Sequence, residues 1–330
     1  MAQPDHFGPT PLTEFVHLDP VVVPDPVDLR LAQSAGKRRL YSVDTYYRDS
    51  WEDLMRIGGS DAVGIATRHA FALLKPDAVV RRRLVSALEW LSVRGWRVVH
   101  ARRFRVHRWA VRAFWQYQWN TATRDRREMA DLYMSATDSL VLLLRAPHDG
   151  EWASSILTRG KGSSDPARCR PGQLRHALGT LNQQLNLVHT ADEPVDLIRE
   201  IGICCTASER ADLYRALVDG VDAADEAVDR ARRLEADHEA LDLSLTGTVA
   251  RLAGRSVGGG ERALLRRRLT GLLDGRTTGW RELVALADRA GVALSRWDRV
   301  VLGTYLLVPT LPGVVPLVSD ASAAGVGPPQ

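Results

Sequence analysis

The chain is poor in cysteine and has no long apolar run. Three cysteines in 330 residues, Cys169, Cys204 and Cys205, are too few for the disulfide framework of a secreted scaffold. Cys204 and Cys205 are adjacent, so their side chains diverge, and all three are read as reduced thiols of a cytoplasmic protein. No apolar stretch reaches the roughly 20 residues that cross a bilayer, so no membrane association is expected. The start, Met1-Ala2-Gln3-Pro4-Asp5, has no basic segment followed by an apolar one, so no secretory signal is expected either. No convincing internal repeat is found, and no acidic cluster suggests a metal held by the protein itself.

A chain of this length can bury a sizeable core and is long for one domain. The net charge of +4 is modest, but the basic residues are uneven. Arg81, Arg82, Arg83, Arg94, Arg97, Arg102, Arg103, Arg105, Arg108 and Arg112 crowd one third of the chain, whereas residues 219–239 are acidic. Such a basic stretch favours anionic ligands, either nucleotides or nucleic acid, although most of these arginines read as a solvated surface.

Residues 1–67 form a mixed N-terminal extension, with prolines first, a strand at residues 21–23 and a helix over residues 50–57 capped by Ser50. From His69 the pattern is regular. Residues 70–74 form a short apolar strand. Leu84, Leu88 and Leu91 have helical spacing, and Gly95 stops that helix. Strands follow at residues 96–106, 139–144 and 185–189, and helices at residues 109–119 and from about residue 149. Asp192 is the expected cap of a last helix with Pro194 in its first turn. This order predicts an α+β, ferredoxin-like antiparallel sheet with helices covering one face, over residues 68–205. Residues 206–310 read as an all-helical C-terminal region. It begins with one amphipathic helix carrying Leu217, Val221, Val228 and Leu234, whose stripe serves packing before dimerisation. Residues 311–330 read as a disordered tail.

Two segments carry chemistry. Lys75-Pro76-Asp77 ends the first apolar strand, and Asn186-Leu187-Val188-His189 ends another. Residues 69–203 resemble the nucleoside diphosphate kinase family in five ordered pieces: Ala72 to Asp77, Leu84-Val85 with Gly95-Trp96, Gly162 to Arg175, Asn186 to His189, and Asp192 with Glu200-Ile201-Gly202. The resemblance implies transfer of the terminal phosphate of a nucleoside triphosphate to a nucleoside diphosphate through a phosphohistidine. It makes His189 the nucleophile and Glu200 its orienting partner. Lys75, Ser164 and Arg175 would contact phosphates, Asn186 the sugar, and Tyr117 is the candidate tyrosine beside the pocket. It also implies Mg2+ carried by the nucleotide phosphates and a homo-oligomer.

Several positions depart from that pattern. Thr190 and Ala191 replace a glycine and a serine whose hydroxyl would steady the glutamate. A second phosphate-binding arginine aligns with Thr158, with Arg159 as the adjacent candidate replacement. The base-stacking aromatic falls in Arg124-Asp125-Arg126-Arg127. Trp115 and Trp119, four apart, read as helix core. Beside the leading reading stand a phosphotransferase with another acceptor, a non-catalytic nucleotide-binding module, and nucleic-acid binding through the arginines.

Overall fold

The computed structural model describes residues 27–318, so the expected strand at residues 21–23 and the tail from residue 319 lie outside the described residues. Helices α1 (Ala35–Tyr41), α2 (Thr45–Gly58) and α3 (Ala62–Arg68) lead into β1 (His69–Leu74). Helices α4 (Pro76–Val80) and α5 (Leu84–Val93) connect it to β2 (Arg97–Phe104). Then come α6 (Arg108–Phe114), α7 (Arg124–Met134), β3 (Ser139–Arg145), α8 (Ala153–Lys161), α9 (Leu174–Leu178), β4 (Val188–Thr190) and α10 (Pro194–Cys204). The C-terminal region adds α11 (Ala207–Asp219), α12 (Ala224–Ala236), α13 (Leu245–Arg255), α14 (Glu261–Leu273), α15 (Trp280–Arg289) and α16 (Arg296–Leu306).

The sheet order is β2-β3-β1-β4 and every neighbouring pair is antiparallel, the ferredoxin-like arrangement expected. Helices cover both faces, however, where one was expected. The cause lies in β1 and β3, which are continuous apolar runs rather than alternating ones. Phe71 and Leu73 face one core with Leu54 of α2, Phe114 of α6, Met134 of α7 and Ile198 of α10. Ala70, Ala72 and Leu74 face the other, with Leu84, Leu88 and Leu91 of α5 and Leu157 of α8.

Other expectations need correction. Asp44, not Ser50, caps α2, accepting from the Tyr47 N–H; Ser50 is buried mid-helix and shares a 2.6 Å hydrogen bond with the Tyr214 hydroxyl. The helix expected over residues 109–119 ends at Phe114. The helix expected to hold Leu217 and Leu234 together breaks at Gly220, a left-handed residue with φ of 65° that caps α11. Leu217 then packs in the first core and Leu234, with Ala227 and Ala231, in the α5 core, with Val228 against it, while Val221 stays exposed. Helices α13 to α16 form a smaller core of their own, while Val300 and Val301 of α16 join the sheet's core. Residues 311–318 are not a loose tail: Leu311 donates to the Thr121 carbonyl at 2.7 Å and Leu317 to that of Tyr117 at 2.9 Å. Arg102, Arg103, Arg105 and Arg112 are ion-paired within the chain, which removes much of the proposed basic face.

Helix α10, which leaves the site strand β4, lies against α2 at Gly202. A β-carbon there would overlap the backbone carbonyl oxygen of Tyr46, which cannot rotate away as a side chain can. Gly202→Ala should therefore destabilise the fold by about 1–3 kcal/mol, read as a lower urea midpoint with an unchanged slope.

Candidate active site

The two segments singled out by the sequence meet through their backbones. The Lys75 N–H donates to the Leu187 carbonyl at 2.9 Å, and the Leu187 N–H donates to Asp77 Oδ2 at 3.0 Å. Asp77 also accepts from the Tyr133 hydroxyl. Pro76 starts α4, which turns the Asp77 carboxylate back toward β4. Leu187 itself has φ of 70°, a conformation an L-residue adopts only when its surroundings hold it. Between Asn186 and Val188, that residue sets how Asn186 and His189 enter the site.

His189 lies on β4 opposite Leu73. Its Nε2 is 2.7 Å from Glu200 Oε1. With Glu200 ionised, Nε2 carries the proton and Nδ1 keeps its lone pair. Phe114 and Trp115 meet the imidazole edge-on, with ring centroids 5.7 and 5.4 Å away. Burial pushes the Glu200 carboxyl above its usual range, opposed by the nearby His189. Glu200 Oε2 is buried with no hydrogen-bond partner. Ala191 occupies the position where the resemblance implies a serine hydroxyl.

His189, Glu200, Lys75, Ser164, Arg175 and Asn186 line one cavity of about 220 Å3. Lys75 donates to the Gln184 carbonyl at 2.9 Å and to Asn186 Oδ1. Arg175 donates to the carbonyls of Asn186, Gly162 and Val188 at 3.1, 2.9 and 2.6 Å, so three of its roughly five N–H groups hold the walls together. Burial pushes the Arg175 guanidinium down from its ordinary value. Among the described residues, no group of three or more His, Cys, Asp or Glu could hold a metal.

Three expected residues lie outside this cavity wall. The Tyr117 hydroxyl donates to Asp44 Oδ2 at 2.8 Å; the tyrosine that lines the cavity is Tyr133. Thr158 is turned to Thr190 at 3.0 Å and Asp192 at 2.9 Å, behind the wall. Arg159 points outward and pairs with Glu151. The sequence reading also missed wall residues. Lys161 lies one turn beyond Thr158 on the same face of α8, a spacing visible in the sequence. Trp115 and Trp119 stack on each other and line the cavity, rather than filling helix core only. Lys37 and Tyr41 of α1 reach it from the N-terminal extension, and no local pattern announces that. The cap of α10 is Glu193, in a capping box with Asp196, while Asp192 faces Thr158 and Lys161.

The sequence profile described as "Nucleoside diphosphate kinase" matches residues 68–210. A nucleoside diphosphate kinase of Moorella thermoacetica is 30% identical over 146 residues, covering 44% of this chain and 99% of that protein. One of Thermomicrobium roseum is 29% identical over 146 residues, covering 44% and 92%. A solved NDP kinase of Pyrobaculum aerophilum superposes with a TM-score of 0.38 at 19% identity, covering 43% of this chain and 97% of that one.

Burial pushes the Lys75 ammonium down to about 8, with Asp77 opposing the shift and Arg175 and Lys161 adding to it. Below that pH the cavity presents an ammonium; above it, an amine that attracts no anion. Affinity for inorganic tripolyphosphate should fall as pH rises through about 8. In Lys75→Arg, whose charge persists to a pKa above about 12, the fall should vanish. Calorimetric titration from pH 6.5 to 9.5 makes the comparison.

Proposed function

The chain belongs to the nucleoside diphosphate kinase family, and from that premise we propose that it moves the terminal phosphate of a nucleoside triphosphate to a nucleoside diphosphate through phosphorylated His189. The observation that carries this reading is the Nε2 bond to Glu200 inside a cavity ringed by Lys75, Arg175 and Lys161. An imidazole whose Nε2–H is engaged offers its Nδ1 lone pair as nucleophile.

In the first half-reaction the Nδ1 lone pair bonds to the terminal phosphorus. The bond from that phosphorus to the bridging oxygen breaks, its electrons stay on the oxygen, and a nucleoside diphosphate leaves. In the second, a terminal oxygen of the acceptor diphosphate bonds to the phosphorus and the P–N electrons return to Nδ1. Phosphoryl transfer depends mainly on alignment and charge neutralisation, and the buried cations of the cavity wall supply the charge. Mg2+ enters as the nucleotide complex, where it offsets phosphate charge. Asn186 is the sugar contact in this reading, and Ser164 a phosphate contact. A cytoplasmic location and a homo-oligomer belong to the same proposal.

A second reading, with a different acceptor, draws on two observations. Arg126 lines the cavity from the stretch where the resemblance implies a stacking aromatic, and Lys37 and Tyr41 enter from outside the matched residues.

Full-length protein given terminally labelled ATP should acquire an acid-labile, alkali-stable label that added nucleoside diphosphate removes. His189→Ala should take up less than about 0.1% of it; equal labelling of the variant sinks the assignment. A label that diphosphates leave in place but another acceptor removes would favour the second reading. Ala191→Ser, by offering a hydroxyl to the partnerless Glu200 Oε2, should speed labelling; a slower rate would mean that oxygen is not what limits the imidazole's orientation.

A further inference from the structure

Among the cations that line the cavity, the hydrogen-bonding partners differ in kind. Lys37 is held by two carboxylates, Glu193 at 2.7 Å and Asp196 at 2.8 Å. Arg175 binds three backbone carbonyls. Lys161 donates to the Thr190 hydroxyl at 2.6 Å, immediately after His189 in β4, and stands 3.7 Å from Asp192 Oδ1. Asp192 is itself engaged more closely by the Thr158 hydroxyl, at 2.9 Å. Its carboxyl is held below the usual range despite burial, chiefly by Lys161 and Lys37. Lys161 is buried, and its charge and that of Arg175 both act on Lys75. Three cations on three elements, Lys75, Arg175 and Lys161, line the cavity beside the imidazole, with Asp77 and Asp192 offsetting part of their charge. A buried ammonium that lines a cavity is stabilised further when an anion enters beside it.

We propose that Lys161 is a phosphate-holding residue of this site, binding the group that passes to His189. The inference rests on the phosphohistidine reading and goes beyond it, since Thr158 and Arg159, the positions expected to contact phosphate from α8, both turn elsewhere. Helix geometry explains the choice: Thr158 and Lys161 are three apart on one face, and of the two only the longer side chain lines the cavity, with its ammonium on the Thr190 hydroxyl. During the step Lys161 transfers no proton. Its ammonium neutralises the non-bridging oxygens while the P–N bond forms and the P–O bond breaks.

Lys161→Gln keeps a donor for the Thr190 hydroxyl and removes the charge; Lys161→Arg keeps the charge. In full-length protein, single-turnover labelling by ATP should slow about 100-fold or more in Lys161→Gln and stay within about tenfold of wild type in Lys161→Arg. Wild-type labelling in Lys161→Gln, or equal losses in both variants with unchanged melting temperatures, would overturn the proposal. Lys161→Met replaces the glutamine variant should that one not fold. A second arm reads the melting shift given by inorganic tripolyphosphate. If the wild type takes no label, the phosphohistidine reading fails, and this arm decides Lys161 alone. Stabilisation of wild type but not of Lys161→Gln supports anion holding, and equal stabilisation refutes it.

Discussion

A buried carboxylate, with one oxygen committed to an imidazole, governs this molecule. Glu200 is buried and its Oε1 has His189 as partner, so any drift of α10 costs the dyad its geometry. The fold surrounds α10 accordingly. Gly202 lets α2 approach to backbone contact. Arg199, one residue before the glutamate, is buried in an ion pair with Asp44 at 2.8 Å and lies against the rings of Tyr41 and Tyr117. Lys37 ties α1 to the first turn of α10 through Glu193 and Asp196. The N-terminal extension is thus part of the frame that aims His189, although it lies outside the matched residues.

The cations answer a complementary constraint. Charged groups this far from water persist only where hydrogen bonds and opposite charge compensate them. Arg175 is compensated by backbone carbonyls from both walls of the cavity, which makes it a brace for the segment 162–188 as well as a positive charge. Lys75 is compensated by Asn186 and the Gln184 carbonyl, and burial still lowers its proton affinity. The C-terminal region supports the same loop from outside: Asn182 donates to Thr304 Oγ1 of α16 at 3.0 Å.

Much of this was legible in the sequence because it is written locally. The apolar runs of β1 and β3, the leucine spacing of α5 and the Lys75-Pro76-Asp77 segment each report their own structure, whereas the strand expected at residues 185–189 is only Val188–Thr190, because Leu187 is left-handed. What failed depended on contacts between distant residues. Ser50 reads as a cap until Tyr214, 164 positions away, claims its hydroxyl. Nothing near Lys37 in the sequence announces Glu193 and Asp196, the latter 159 positions away, which the fold brings beside it. Tyr117 and Tyr133 are indistinguishable by pattern; Asp44 takes one and Asp77 the other. Lys161 was overlooked for another reason: helical periodicity already put it, three residues after Thr158, on one face of α8, and Arg159 on another.

The central claim is that Glu200 holds the His189 proton on Nε2 and leaves Nδ1 as the reactive nitrogen. Nitrogen-15 NMR of the histidine-labelled full chain near neutral pH reads this directly. The account predicts a His189 ring with a protonated, pyrrole-like Nε2 and a bare, pyridine-like Nδ1, a pattern that Glu200→Gln weakens. A His189 ring protonated on Nδ1 with a bare Nε2 would contradict it.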